Sequence, residues 1–424
     1  MLRVLITTLG KAKKQDNKRY YTATYSFDNK EKYSTPFFGY ALYQYLQSKN
    51  EKPDKIVILG TSTSMWDAWY EVTEDLLTDE SMIDADYLNN KIKTGVESAD
   101  LTILQKKLSE YFGVKVVCEI IPIGAAQDDL VEILYSIKKQ VNNNDAVVMD
   151  VTHGLRYLPM IELLSTFLLK HSLNIRLNGI YYGAFDLNKN GVTPAVNLDG
   201  LYHLNQWIEA ISIFETNGNV IKLSKLPELS EISEDLLMYN FYEQINNIGK
   251  ARKIAQKILH IISQMPVNSI VGLFKNNLVK AFSWSESQKY YLRQYLQAKK
   301  AFDNGDYLRA TILLLETYIS FEMQKNNEEA NINDYKIREE VKQKILKNSE
   351  YRYVSGLNML RNSIAHNTIP QKNNLPDYSK IYEMRKDRKT FSDEMENVFK
   401  ELGEKIKKYE QSLNEENNTE LESC

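Results

Sequence analysis

Apolar residues in the first half of the chain fall in short, nearly continuous runs, each closed by glycine. RVLITTL at 3–9 ends at Gly10, KIVIL at 55–59 at Gly60, VKVVCEIIPI at 114–123 at Gly124, and NIRLNGIYY at 174–182 at Gly183. DAVVMDV at 145–151 stops just short of Gly154. Runs rich in β-branched residues and bounded by turn residues read as strands buried on both faces. Between them, apolar positions recur at helical spacing over 37–46, 101–112, 128–141 and 155–170. This alternation predicts an α/β domain with a mostly parallel, Rossmann-like sheet covered on both sides. RYYTATYSF at 19–27 alternates instead, which predicts an edge strand or a hairpin arm.

After about residue 204 glycine becomes sparse and strand-like runs stop. Amphipathic helical spacing then covers 205–214, 235–247, 250–263, 287–304, 307–325, 335–347, 353–366 and 391–413. Pro227, Pro266, Asn304–Gly305 and Pro370 punctuate it. The expected layout is an α/β domain at 1–203, a helical linker at 204–300 and an all-α domain at 301–413. The acidic stretch NEENNTELESC at 414–424 reads as a disordered tail. No repeat of solenoid type is present.

Composition narrows the function. Lys and Arg number 53 against 56 Asp and Glu, a net charge of −3, which argues against a wholesale polyanion binder while leaving room for a local basic cleft. Cys118 and Cys424 cannot build a disulfide framework, so a reducing compartment is expected. The five histidines form no Cys/His cluster, and no metal cofactor is expected. The N-terminus turns polar after about ten residues and no run reaches the roughly 20 apolar residues a bilayer demands. The expectation is a cytoplasmic protein without a membrane partner.

In a parallel sheet, ligands sit beyond the carboxyl ends of the strands. Here those ends carry TTLG, GTSTS, GAAQDD and DVTHG, all rich in small and hydroxylated residues, as a nucleotide or phosphate site would be. In DVTHG a strand delivers Asp150 to its end, Thr152 and His153 offer hydrogen bonds, and Arg156 can pair with a phosphate. The plainer reading is a helix cap by Asp150 or Thr152 with Gly154 as a permissive turn. Gly60, Thr61 and Ser62 likewise form either a phosphate cradle or an ordinary capped helix start. Neither loop holds GxxxxGK[ST] or GxGxxG, which disfavours a P-loop NTPase or a dinucleotide enzyme. Trp66 and Trp69 nearby read as packing residues rather than base-stacking platforms.

The helical half holds YVSGLNMLRNSIAHN at 353–367. Val354, Leu357, Leu360 and Ile364 follow helical spacing and should face a core. Arg361 and His366 then lie about 140° apart around a continuous helix, whereas Asn362 and His366 share a face. An imidazole can move a proton to or from a ribose hydroxyl near neutral pH. A guanidinium can stabilise charge building on phosphorus, and Asn362 can orient either partner. Together they are a minimal kit for RNA cleavage without a metal. A helix-terminal histidine and a solvated arginine would explain the same residues structurally.

DVTHG after a strand resembles the DxTHG signature of one branch of CRISPR-associated Rossmann-fold (CARF) proteins, and the segment Arg361–His366 resembles the RxxxxH motif of HEPN ribonucleases. The order CARF then HEPN is more specific than either motif. YLRATILLLETYIS at 307–320 is similar to an opening HEPN helix, with Glu316 near a position that is often acidic there. The resemblance implies an accessory endoribonuclease of type III CRISPR defence, active on single-stranded RNA with low sequence specificity. Its allosteric activator would be a cyclic oligoadenylate, cyclic tetra-adenylate by preference, bound across a homodimer. The resemblance places Thr8, Gly10, Gly60, Thr61, Ser62, Asp150, Thr152, His153 and Gly154 at the activator, with Arg156 beside them. It places Arg361, Asn362 and His366 at cleavage. The alternatives are a non-enzymatic nucleotide sensor, or a ring nuclease that destroys the activator.

Overall fold

The computed structural model describes residues 1–422 except 12–13, 16–18, 29, 155–156, 327–330, 368–383 and 385. It divides into two compact units, Met1–Asn205 and Gln206–Cys424.

The first unit is an eight-stranded sheet in the order β3-β2-β8-β7-β6-β1-β4-β5. The strands are β1 Arg3–Leu9, β2 Ala23–Phe27, β3 Glu31–Thr35, β4 Lys55–Gly60, β5 Lys115–Ile120, β6 Ala146–Asp150, β7 Arg176–Gly183 and β8 Val192–Asn197. The five apolar runs form the parallel block β7-β6-β1-β4-β5. β8 pairs antiparallel with β7, and the β2–β3 hairpin closes that edge. Side chains alternate along β1: Leu5 and Leu9 join one apolar cluster, Val4 and Ile6 the other. On the first face lie α1 Phe38–Ser48, α2 Asp79–Lys91 and α3 Thr102–Phe112; on the second, α4 Gln127–Lys138 and α5 Leu158–Leu173. Gly113 ends α3 and Asn174 ends α5, both in the left-handed region that stops a helix. Trp66 and Trp69 are buried in the first of these layers.

Within the parallel block, successive strands run from β1 to β4 and β5 on one side, after an excursion through the β2–β3 hairpin at the far edge, and then from β6 to β7 on the other. Connections therefore diverge between β1 and β6, which opens a crevice at the carboxyl ends of those strands.

The second unit is helical throughout its described residues. Its elements are α6 Asp199–Asn217 (which begins in the first unit), α7 Ser233–Gln244, α8 Ile248–Gln264, α9 Ile270–Phe282, α10 Tyr290–Asp303, α11 Tyr307–Asn326, α12 Tyr335–Lys347, α13 Arg352–His366 and a long helix Arg388–Glu422. Trp207, Phe282, Tyr291, Leu314, Leu360 and Leu402 belong to one apolar cluster. The stretch 204–300 is thus not a linker. Its helices bury their apolar faces against those of 301–413, and α10 packs along α11. The helix Arg388–Glu422 also runs through most of the segment whose composition reads as a tail. Extending an already nucleated helix costs little per residue, even in a polar sequence. Pro370 and Cys424 lie outside the described residues.

Candidate functional site

Six of the residues singled out by sequence meet where β1 and β6 end. Thr7 donates its hydroxyl to Asp150 Oδ2 at 2.5 Å, and the Thr152 N–H donates to Asp150 Oδ1 at 2.8 Å. Both carboxyl oxygens are therefore spent inside the protein, and Asp150 is buried. Burial pushes its carboxyl up to about 6, against the bonds from Thr152 and Thr7, which favour the charged form. Thr8 donates to the His153 carbonyl at 2.7 Å. The two threonines thus tie the Asp150–Gly154 turn to β1. Gly154 has φ +112°, a conformation that favours glycine. Gly10 touches it: a Cβ at Gly10 would stand 2.5 Å from the Gly154 nitrogen.

His153 is held from the side. Its ring stacks on Phe37, with centroids 4.8 Å apart and 16° between the planes. The Phe38 N–H donates to Nε2 at 3.2 Å. Phe38 opens α1, whose N-cap has no side-chain bond of its own, so the imidazole supplies the missing acceptor. Desolvation pulls the imidazole down to about 4, which leaves it uncharged at neutral pH with Nε2 already engaged. Thr152 accepts the Gly183 N–H through its hydroxyl oxygen at 2.8 Å, and its own hydroxyl proton is directed at the Asp150 carboxylate.

The turn after β4 is stitched to the same place. The Thr61 N–H donates to Ser64 Oγ at 2.9 Å, and Ser64 donates to the Leu9 carbonyl at 2.8 Å. The Met65 N–H donates to the Gly10 carbonyl, and the Ser62 carbonyl accepts from Val96. A Cβ at Gly60 would strike the Trp66 ring at 2.6 Å. Gly60, Thr61 and Ser62 therefore lie beside the β1–β6 crevice. Arg156 lies outside the described residues.

Sequence reading assigned no individual role to Thr7, Ser64, Phe37 or Glu162. Thr7, Ser64 and Phe37 each act through a partner remote in the chain, as Thr7 does on Asp150, and local spacing carries no signal of that. Glu162, on α5, is fully buried, and neither carboxyl oxygen has a hydrogen-bond partner. Burial raises its pKa well above the ordinary value, and the nearby Asp150 charge adds to the effect. A folded-state pKa raised in this way contributes stability that is complete below the unfolded value and is lost as pH rises. Glu162→Gln is thus expected to melt above the parent protein at pH 8, with the gap closing toward pH 4.5. Paired thermal melts across pH would show it, and a gap independent of pH would contradict the assignment.

In the second unit, α13 is one continuous helix from Arg352 to His366. Leu357 and Leu360 are buried and Ile364 packs against the same cluster, as the spacing required. Asn362 and His366 are exposed, and Arg361 is half-buried. Arg361 and His366 therefore stand about 140° apart on the helix. Glu316 is ion-paired with Arg338 of α12.

Residues 4–186 match the family model described as "CRISPR system endoribonuclease Csx1, CARF domain". The chain is also 26% identical over 443 aligned residues to "CRISPR-associated protein MJ1674" of Methanocaldococcus jannaschii, covering 90% of this chain and 68% of that protein. Both findings support a CRISPR-associated CARF protein. A solved structure described as Enterococcus italicus Csm6 bound to cyclic hexa-2'-fluoro-hexa-dAMP aligns over 94% of this chain and 92% of that one, at 12% identity and a TM-score of 0.29. Among the described residues no helix is long and apolar enough to cross a membrane, and no group of three or more His, Cys, Asp or Glu side chains could hold a metal ion.

Proposed function

We propose that the protein is a metal-independent endoribonuclease of type III CRISPR defence, switched on by a cyclic oligoadenylate and acting on single-stranded RNA with low sequence specificity. One observation carries this reading: a segment matching a CARF model precedes a helical unit in which α13 exposes Asn362 and His366 and holds Arg361 half-buried. The activator would enter the β1–β6 crevice. Backbone groups of the Gly10 and Gly154 turns border it and would meet the ligand. In the helical unit, the RNA's own 2'-hydroxyl attacks the adjacent phosphorus and the 5'-oxygen leaves, giving a 2',3'-cyclic phosphate and a 5'-hydroxyl. His366 shuttles the proton and Arg361 neutralises charge building on the phosphate oxygens.

The chain would act as a homodimer. The roughly 140° between Arg361 and His366 fits a cleft to which two copies contribute. The first unit carries an apolar face in keeping with this: Met160, Leu164 and Leu168 are exposed at successive turns of α5, beside exposed Val131 and Tyr135 of α4.

The test is cleavage of a fluorescent RNA in EDTA, with and without cyclic tetra- and hexa-adenylate. Activator-dependent cleavage is expected. A protein that binds a ring but leaves RNA intact would be a sensor, and one that consumes the ring alone would be a ring nuclease; either result overturns the proposal. Arg361→Ala is expected to lose at least about a hundredfold in cleavage rate while its activator affinity is unchanged.

A further inference from the structure

Two buried polar atoms on α13 have no hydrogen-bond partner, Asn358 Oδ1 and Arg361 Nε. One is an acceptor and the other a donor. Leaving either buried and unpaired costs free energy, and native folds seldom tolerate it without a reason. The two residues lie three apart on a continuous helix, where side chains at that spacing are neighbours.

Their angular positions matter as much as their spacing. At about 100° per residue, Asn358 stands about 60° from Arg361 in one direction. In the other direction it stands about 40° from Asn362 and 80° from His366. Asn358 therefore occupies the arc that separates Arg361 from His366, beside buried Val354, while Leu357, Leu360 and Ile364 lie about 100–160° round the helix from it, against the core. The charged group facing Arg361 from α12 is Glu339, whose carboxylate already accepts from Gln343 at 2.8 Å and pairs with Lys342 at 3.6 Å.

We propose that Asn358 is the positioning residue for Arg361, its Oδ1 accepting the Arg361 Nε–H when RNA enters, so that the remaining guanidinium fork is aimed at the scissile phosphate. The inference rests on the ribonuclease reading above. A guanidinium held at Nε keeps its two terminal nitrogens free for a bidentate grip on phosphate. A carboxamide suits this task because it holds the arginine without offsetting its charge. A carboxylate at 358 would oppose the charge that cleavage requires. Sequence inspection gave no sign of this residue, because Asn358 falls outside RxxxxH.

The experiment uses the full chain with cyclic tetra- and hexa-adenylate, fluorescent RNA and EDTA. Asn358→Leu is nearly isosteric and removes an unpaired polar atom, so its melting temperature should equal or exceed that of the parent. Its kcat should fall about 10- to 100-fold with KM and activator affinity little changed, as expected for a misaimed group. In an Arg361→Lys background, which has no Nε–H in that geometry, the same substitution should cost nothing further. Full kcat in Asn358→Leu, or an equal loss in the Arg361→Lys background, overturns the inference while the ribonuclease reading stands. Silence of the parent protein toward RNA with both rings overturns both.

Discussion

His366→Ala is expected to abolish activator-dependent RNA cleavage while binding of the cyclic oligoadenylate is untouched. Proton transfer by a placed imidazole contributes about 10²- to 10⁴-fold to such reactions, so the residual rate should fall at least a hundredfold. Folding should not suffer. His366 is exposed at the last position of α13, and the turn that follows is held by the Asn367 N–H bonding to the Ile364 and Ser363 carbonyls. The measurement is cleavage of a fluorescent RNA in EDTA beside a titration of the activator. Retention of the parental rate by His366→Ala would remove the imidazole from the chemistry. The 2'-hydroxyl would then have to be deprotonated by another group. Loss of activator binding together with cleavage would instead point to damage to the fold.

What the sequence revealed follows from how each element is buried. The central strands are covered on both faces, so their apolar runs are nearly unbroken and readable. β3 reads EKYST and β8 reads VTPAVN; one is mostly polar and the other contains Pro194. Both lie in the antiparallel part of the sheet, where a strong apolar pattern is not required. α2 is polar over most of its length and buries little beyond Ser81 and Leu88, so helical periodicity is weak there as well. The helical half was legible as helices but not as one unit, because clustering Trp207 with Leu402 depends on contacts that no local window contains.

The crevice shows the same division. The DVTHG turn stood out because small and polar residues closed an apolar strand. The jobs of its side chains did not. Asp150 is turned inward to Thr7, 143 residues away in the chain, and His153 serves the first N–H of α1. Much of the polarity of this motif therefore builds the turn. What it leaves for a ligand is the backbone at the ends of β1 and β6. The helix-cap reading and the ligand reading of the motif are consequently compatible, since the first holds the shape on which the second depends.

That dependence makes Gly10→Ala a severe change for its size. The added methyl would lie 2.5 Å from the Gly154 nitrogen and 3.1 Å from its Cα, and backbone cannot swing aside as a flexible side chain can. One of the two turns has to move. Two bonds cross the same spot and would be strained with it: Thr8 to the His153 carbonyl, and the Met65 N–H to the Gly10 carbonyl. Overpacking of this kind costs about 1–3 kcal/mol. At about 2–4 °C per kcal/mol for a unit of this size, melting should drop by several degrees. The functional loss should be larger, because the displaced backbone borders the crevice itself. Affinity for cyclic tetra-adenylate is expected to fall more than about tenfold, the equivalent of 1.4 kcal/mol. Gly200→Ala is the control: nothing lies within 4 Å of a Cβ there, and the residue belongs to α6. Alanine should leave that helix equally or more stable, by up to about 1 kcal/mol, with activator affinity unchanged. A calorimetric titration of both variants decides the matter. Parental affinity in Gly10→Ala would mean that the ring is recognised elsewhere than at the junction of β1 and β6, and the crevice would then be a structural seam alone.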